Sequence, residues 1–149
     1  MPGISVSVDG ADDFAAALDR LQQRLHSATR KATKDGIQHL QRRAHGQLSR
    51  YYHPPGTPTP SPPGQPPARI TGFLRGSLSP TGPAPTGSGY TGRLGPTAVY
   101  SRIQELGGRA GRNHSVTLPP RPYLRPTVRG AVGDGSLRRI YVEAWRRAM

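Results

Sequence analysis

Five histidines and eight carboxylates are the groups in this 149-residue chain with the chemistry to move protons or hold a metal. A metal site on a helix wants its ligands three or four residues apart on one face. His26, His39 and His45 fall on one helical stretch, and no two of them have that spacing. His53 and His114 lie in loop-like sequence, and no histidine has a carboxylate as its immediate neighbour. With no cysteine there is no thiol nucleophile, no disulfide and no thiolate ligand. The glycine-rich stretches "TGSG", "GGRAGR" and "GAVGDGS" lack the Lys-Ser/Thr ending of a phosphate loop. No G-x-S-x-G elbow raises a serine nucleophile. The expectation is a protein that is not an enzyme and that holds neither metal nor cofactor.

Charge is the stronger signal. Twenty-one Lys and Arg against eight acids give +13, and only Lys31 and Lys34 are lysine. Such a balance favours nucleic acid, acidic protein surfaces or anionic lipid. Arg69, Arg75, Arg93, Arg109 and Arg112 fall in or beside Pro/Gly-rich segments, where few apolar contacts would hold them. They are the candidate basic residues for facing a polyanion or an acidic partner.

The elements that would position these residues have little apolar material. Hydrophobic residues make 33% of the chain, and 17 prolines with 19 glycines make about a quarter of it. Ordinary usage of those two is about 12%. A core this small often borrows burial from a partner, so an oligomer or an assembly subunit is expected.

Ile4, Val6 and Val8 alternate as a strand does. Asp9, Asp12 and Asp13 follow as helix-start acids. Phe14, Leu18, Leu21, Leu25, Ala28 and Ala32 then form one stripe, continued with a displacement by Ile37, Leu40, Ala44 and Leu48. This predicts a helix over residues 11–49 with a core-facing stripe, bent or broken near Gly36. The stripe is too Ala-rich to be a membrane-surface helix.

Eight prolines between His53 and Pro67 exclude helix and sheet there. "PTPSPP" has the composition of a ligand for a proline-recognition domain, but a spacer or a loop on a neighbour explains it as well. "ARITGFLRGSLS" has strand character, and "PTGPAPTGSG" reads as a second turn-rich linker. "YTGRLGPTAVYSRIQEL" reads as a strand leading, from about Ala98, into a short helix with Val99, Ile103 and Leu106 on one face. "GGRAGRNHSVTLPP" suits a basic hairpin, and "RPYLRPTVRGAV" opens a helix. A C-terminal helix follows, capped by Asp134 or Ser136.

The fold class expected is α+β: a long N-terminal helix and a C-terminal helix packed on a small antiparallel sheet, with long Pro/Gly-rich loops. Patterned segments flank the proline stretch, and neither side has enough apolar surface alone. Residues 1–149 therefore read as one domain with an excursion at about 53–68. No apolar run approaches the roughly 20 residues that span a bilayer. "MPGISVSVDG" lacks the basic-then-apolar order of a secretion signal. The chain is expected to be made in the cytoplasm, with no membrane partner.

Three segments in order carry a family resemblance. "GQPPARITGFLRGSL" looks like a Pro-loop followed by T-G-x-L-R-x-S, matching Thr71, Gly72, Leu74, Arg75 and Ser77. "AVYSRIQELGG" looks like Y-x-x-x-x-E-x-G, matching Tyr100, Glu105 and Gly107. "LPPRPYLRPTV" looks like P-x-R-P-F-L-R-P-A, matching Pro120, Arg121, Pro122, Tyr123, Leu124, Arg125 and Pro126, with Tyr in place of Phe. This succession resembles the putative tail-component family of long-tailed bacteriophages, neck or tail-completion proteins. The resemblance implies a structural virion protein at the head–tail junction. It would form a six-fold or, as second choice, twelve-fold ring. Its partners would be the head-completion (stopper) and tail-terminator proteins, with non-specific contact to the DNA in the channel. The Pro-rich excursion would be an arm bridging subunits, and Tyr123 and Leu124 would be buried against the long helix. The other class the composition admits is a basic nucleic-acid-binding protein, of phage or non-viral origin. Against that stand the scarcity of aromatics in the loops and the lack of a recognised binding module.

Overall fold

The computed structural model describes residues 10–56 and 60–149, so the expected strand at Ile4, Val6 and Val8 lies outside the described residues. The fold is α+β, as expected: a long N-terminal helix, C-terminal helices and a small antiparallel sheet. Helix α1 is Ala11–Gln47, with Asp12 and Asp13 in its first turn, where the helix dipole favours acids. A single helical turn α2 (Phe73–Gly76) leads into the hairpin β1 (Leu78–Thr86) and β2 (Gly89–Pro96). Then come α3 (Ser101–Leu106) and a small hairpin of β3 (Gly108–Ala110) and β4 (Val116–Leu118) around a 3-10 turn. Helices α4 (Leu124–Gly133) and α5 (Ser136–Ala148) end the chain.

Helix α1 runs unbroken through Gly36, against the expected bend. The glycine serves packing: a Cβ there would sit 3.7 Å from Leu137 and 3.8 Å from Tyr141 of α5. On α1 beside this contact, β2 lies so close that a Cβ on Gly92 would fall 1.9 Å from Ile37 Cδ1. One short stretch of α1 is thus held between the large hairpin and α5. Tyr141 Oη donates to Thr33 Oγ1 at 3.1 Å, and Trp145 Nε1 donates to Thr29 Oγ1 at 2.9 Å.

The expected core stripe holds only in part. Ala32, Ile37, Ala44 and Leu48 are buried, but Phe14 and Leu18 are exposed. Among the described residues, only the hairpin tip comes near the first turns of α1, bordering a groove beside Leu18, so the same face there stays open.

Three other expectations are corrected. The segment after the proline loop is not a strand but the turn α2. Its apolar residues Ile70, Phe73, Leu74 and Leu78 do not alternate with period two, and only Leu74 and Leu78 are buried. The "PTGPAPTGSG" segment is no linker. It is the edge strand β1 and its turn, in register Leu78↔Pro96, Thr81↔Arg93 and Thr86↔Gly89 with β2. Pro80, Pro83 and Pro85 confine β1 to an edge because they cannot donate to a further strand. The short helix expected from about Ala98 begins only at Ser101, so Val99 lies outside α3 and is 98% exposed, while Leu106 at its end is 52% exposed.

The proline excursion closes on its own domain. Arg69 N–H donates to Tyr51 O at 2.8 Å and His53 N–H to Arg69 O at 3.3 Å, joining its two ends. Its far side docks on the segment before α4, where Gly64 N–H donates to Pro120 O at 2.9 Å. Its described residues therefore form a loop tied at its base and far side to its own domain.

Gly92→Ala should lower stability by about 1–3 kcal/mol in urea titration, because Ile37 must leave its rotamer or the hairpin must lift. Gly95→Ala, where a Cβ meets nothing within 4 Å, should change little. Combining Gly92→Ala with Ile37→Val should recover part of the loss.

Candidate functional site

Glu105 organises the motif residues. Its Oε2 accepts the backbone N–H of Tyr123 at 2.7 Å and of Leu124 at 3.0 Å, and its Oε1 accepts that of Arg125 at 2.9 Å. These donors sit at the start of α4, where no preceding helical turn supplies acceptors. A carboxylate from α3, 18 to 20 residues away in sequence, thus caps α4. Arg121 N–H donates to Gln104 O at 2.7 Å, and the largely buried Arg121 side chain donates from Nε to Ser61 O at 3.0 Å in the proline loop. Gly107 must be glycine: its φ is 72° and a Cβ would sit 2.8 Å from Pro120 N.

This clamp seats Tyr123 in the core. Tyr123 is fully buried with Ala44, Leu48, Leu74, Leu78 and Ala98, and Leu124 packs half-buried against the cluster. Burial holds the Tyr123 hydroxyl well above the usual phenol range, and the nearby Glu105 carboxylate adds to this. Leu74, Tyr123, Glu105, Gly107 and Arg121 therefore meet in one interlocked region. Ser77 secures the turn, donating from Oγ to Leu74 O at 2.8 Å. Pro122 and Pro126 flank Tyr123 and the first turn of α4, and Arg125 is exposed.

Above this region opens a cleft of about 270 Å³, lined by Leu48, Ile70, Thr71, Gly72, Phe73, Arg75 and Tyr100 among others. Ile70 is 44%, Phe73 62% and Tyr100 40% exposed, and the Phe73 and Tyr100 rings lie 6.3 Å apart. Arg69 also lines the cleft and lies over the Tyr52 ring at 5.4 Å. Arg75 presents a buried Nε without a hydrogen-bond partner among the described residues.

The five candidate arginines do not converge on one place. Arg69 and Arg75 border the cleft, Arg93 lies on β2, and Arg109 and Arg112 lie on and just after β3. Arg109 Nε donates to His114 O at 3.0 Å. None of the five forms an ion pair among the described residues, where only Lys31–Asp35, Arg43–Asp134 and Arg147–Glu143 are paired. The apolar rim of the cleft, Ile70 and Phe73, went unnoticed as a surface in the sequence. The one available signal was an aromatic in "TGFLRG" with no period-two partner to bury it.

The polar junction between α1 and α5 holds two of the perturbed groups, His39 and Asp134. His39 Nε2 is 2.8 Å from Ser136 Oγ. The hydrogen bond from Arg43, with those of Ser136, holds the Asp134 carboxyl well below the usual range. The Ser136 N–H donates to Asp134 Oδ1 at 2.9 Å, but the N-cap of α5 is Gly135, so neither expected residue, Asp134 or Ser136, occupies the cap position. Burial lowers the pKa of His39, with Arg43 and Arg42 adding to it, and burial then Arg75 lower that of His45.

The cleft combines an apolar rim with two arginines that form no ion pair among the described residues. No protein-family model, no curated protein and no solved structure matches the chain.

Glu105→Ala should cost about 1–3 kcal/mol in chemical denaturation, because three N–H groups lose one acceptor. Glu105→Gln should recover part of this through its remaining amide oxygen.

The histidines set a pH response. Their folded pKa values lie below the ordinary 6.5, so on acidification the unfolded chain binds protons first. Their contribution to stability is present above 6.5 and is lost as pH falls below it. Melting temperature should drop between pH about 7.5 and about 5.5, and His39→Gln with His45→Gln should flatten that drop.

Proposed function

We propose that this chain is a structural virion protein that forms a ring in the head–tail connector of a long-tailed bacteriophage. It would join the head-completion complex to the tail and surround the DNA channel. The three ordered motifs supply the resemblance behind this reading. The observation that carries it is the cleft rimmed by Ile70, Phe73 and Tyr100 with unpaired Arg69 and Arg75, a surface suited to another protein. A ring subunit can keep such side chains uncovered because its neighbours bury them. The excess arginines suit a channel through which phosphates pass, where contacts carry no sequence preference.

A second reading, a nucleic-acid-binding protein, draws on the same charge: of 21 Lys and Arg, three make ion pairs among the described residues. Native mass spectrometry separates the two. The connector reading expects a closed ring, six-fold first and twelve-fold second, formed without nucleic acid. A monomer that binds DNA with steeply salt-dependent affinity and never closes a ring would replace it with the second reading.

A further inference from the structure

We propose that the first turns of α1 form an acidic, apolar arm that is received by the Ile70–Phe73–Tyr100 cleft of a second copy of this chain. The inference rests on the ring reading above and names its contact.

Phe14, Leu18, Leu21 and Leu25 share one side of α1. Further along, α1 is covered by the large hairpin and α5. At this end Phe14 is 66% and Leu18 49% exposed, and all of residues 11–20 lie open. The nearest cover is the hairpin tip, where Tyr90 meets His26 edge-on and Ser88 and Gly89 border a groove beside Leu18, Leu21 and Leu25. Ten uncovered residues are about 15 Å of helix that project beyond the packed part of α1, with no tertiary contact among the described residues to support their apolar face.

Charge selects the partner. The uncovered residues 11–20 hold Asp12, Asp13 and Asp19 against the single Arg20, a formal −2 on a chain of +13. None of the three acids forms an ion pair among the described residues. The cleft offers the complement: an apolar rim, room for an aromatic side chain, and Arg69 and Arg75 without carboxylates. Another copy of this basic chain carries that complement.

Distance makes the contact intermolecular. Leu48, just beyond the C-terminal end of α1, lines the cleft, and Phe14 lies at the other end. The 34 residues between them span about 50 Å along one helix axis. An arm cannot reach its own cleft. Arm and cleft are different surfaces, so the contact is head-to-tail, the kind that closes into a ring when the rotation permits.

The cysteine-free chain allows a direct test. Phe14→Cys and Phe73→Cys both alter exposed side chains. Under mild oxidation the double variant should give a ladder of disulfide-linked oligomers. Each single variant should stay unlinked, and the two singles mixed should give only a dimer of unlike chains. Asp12→Lys with Asp13→Lys should raise the concentration needed for assembly by at least about tenfold, with the helical circular dichroism unchanged. Self-linking of Phe14→Cys alone would mean that arms pair with each other and would overturn the proposal. Rings in native mass spectrometry without the 14–73 link would leave the connector reading standing and remove this contact. A chain that is monomeric at every concentration would remove both.

Discussion

The close approach on both sides of α1 near Gly36 is the constraint on which the rest of the structure depends. Gly36 admits Leu137 and Tyr141 of α5, and Gly92 of β2 sits over Thr33 and Ile37. A chain with so few large apolar residues cannot fill wide gaps between its layers. It brings backbone to side chain instead, so that dispersion contacts are made at short range. The hydroxyls of Thr29 and Thr33 then anchor Trp145 and Tyr141, which a thicker layer would have kept apart.

At the other end of α1 the solution is polar. Tyr123 enters a cluster of small and branched residues, Ala44, Leu48, Leu74, Leu78 and Ala98. It is held there by a carboxylate that caps the following helix and by a buried arginine that ties in the proline loop. Prolines make that loop cheap to order, since their φ is already restricted. Three backbone hydrogen bonds at its base and far side hold it besides that arginine, with Tyr51 and Gln65 joined across its interior. A long irregular segment thus becomes a wall of the domain.

Among the described residues, the cleft above α2 and the first turns of α1 are two surfaces that stay uncovered. Both are apolar, and their charges have opposite sign. A domain with so little apolar material cannot bury all of it, so the thin core and the uncovered surfaces have one cause.

By itself the sequence determined the mixed class, the long helix, the terminal helix and the basic hairpin. Each rests on local periodicity or turn chemistry, which a chain carries wherever it goes. The strand β1 was not legible because its prolines and glycines hide alternation; pairing with β2 decided it. The helical turn at Phe73–Gly76 was hidden for a related reason, four residues being too few to show a period. Glu105 stood out as a motif residue, but nothing local reveals that it caps a helix 18 residues on. Gly36 looked like a break, and only the presence of α5 makes it a contact. Which part of the α1 stripe is core and which is open was settled by where the hairpin and α5 end. Periodicity tells which face of a helix is apolar, and only the tertiary structure tells how much of that face finds a neighbour.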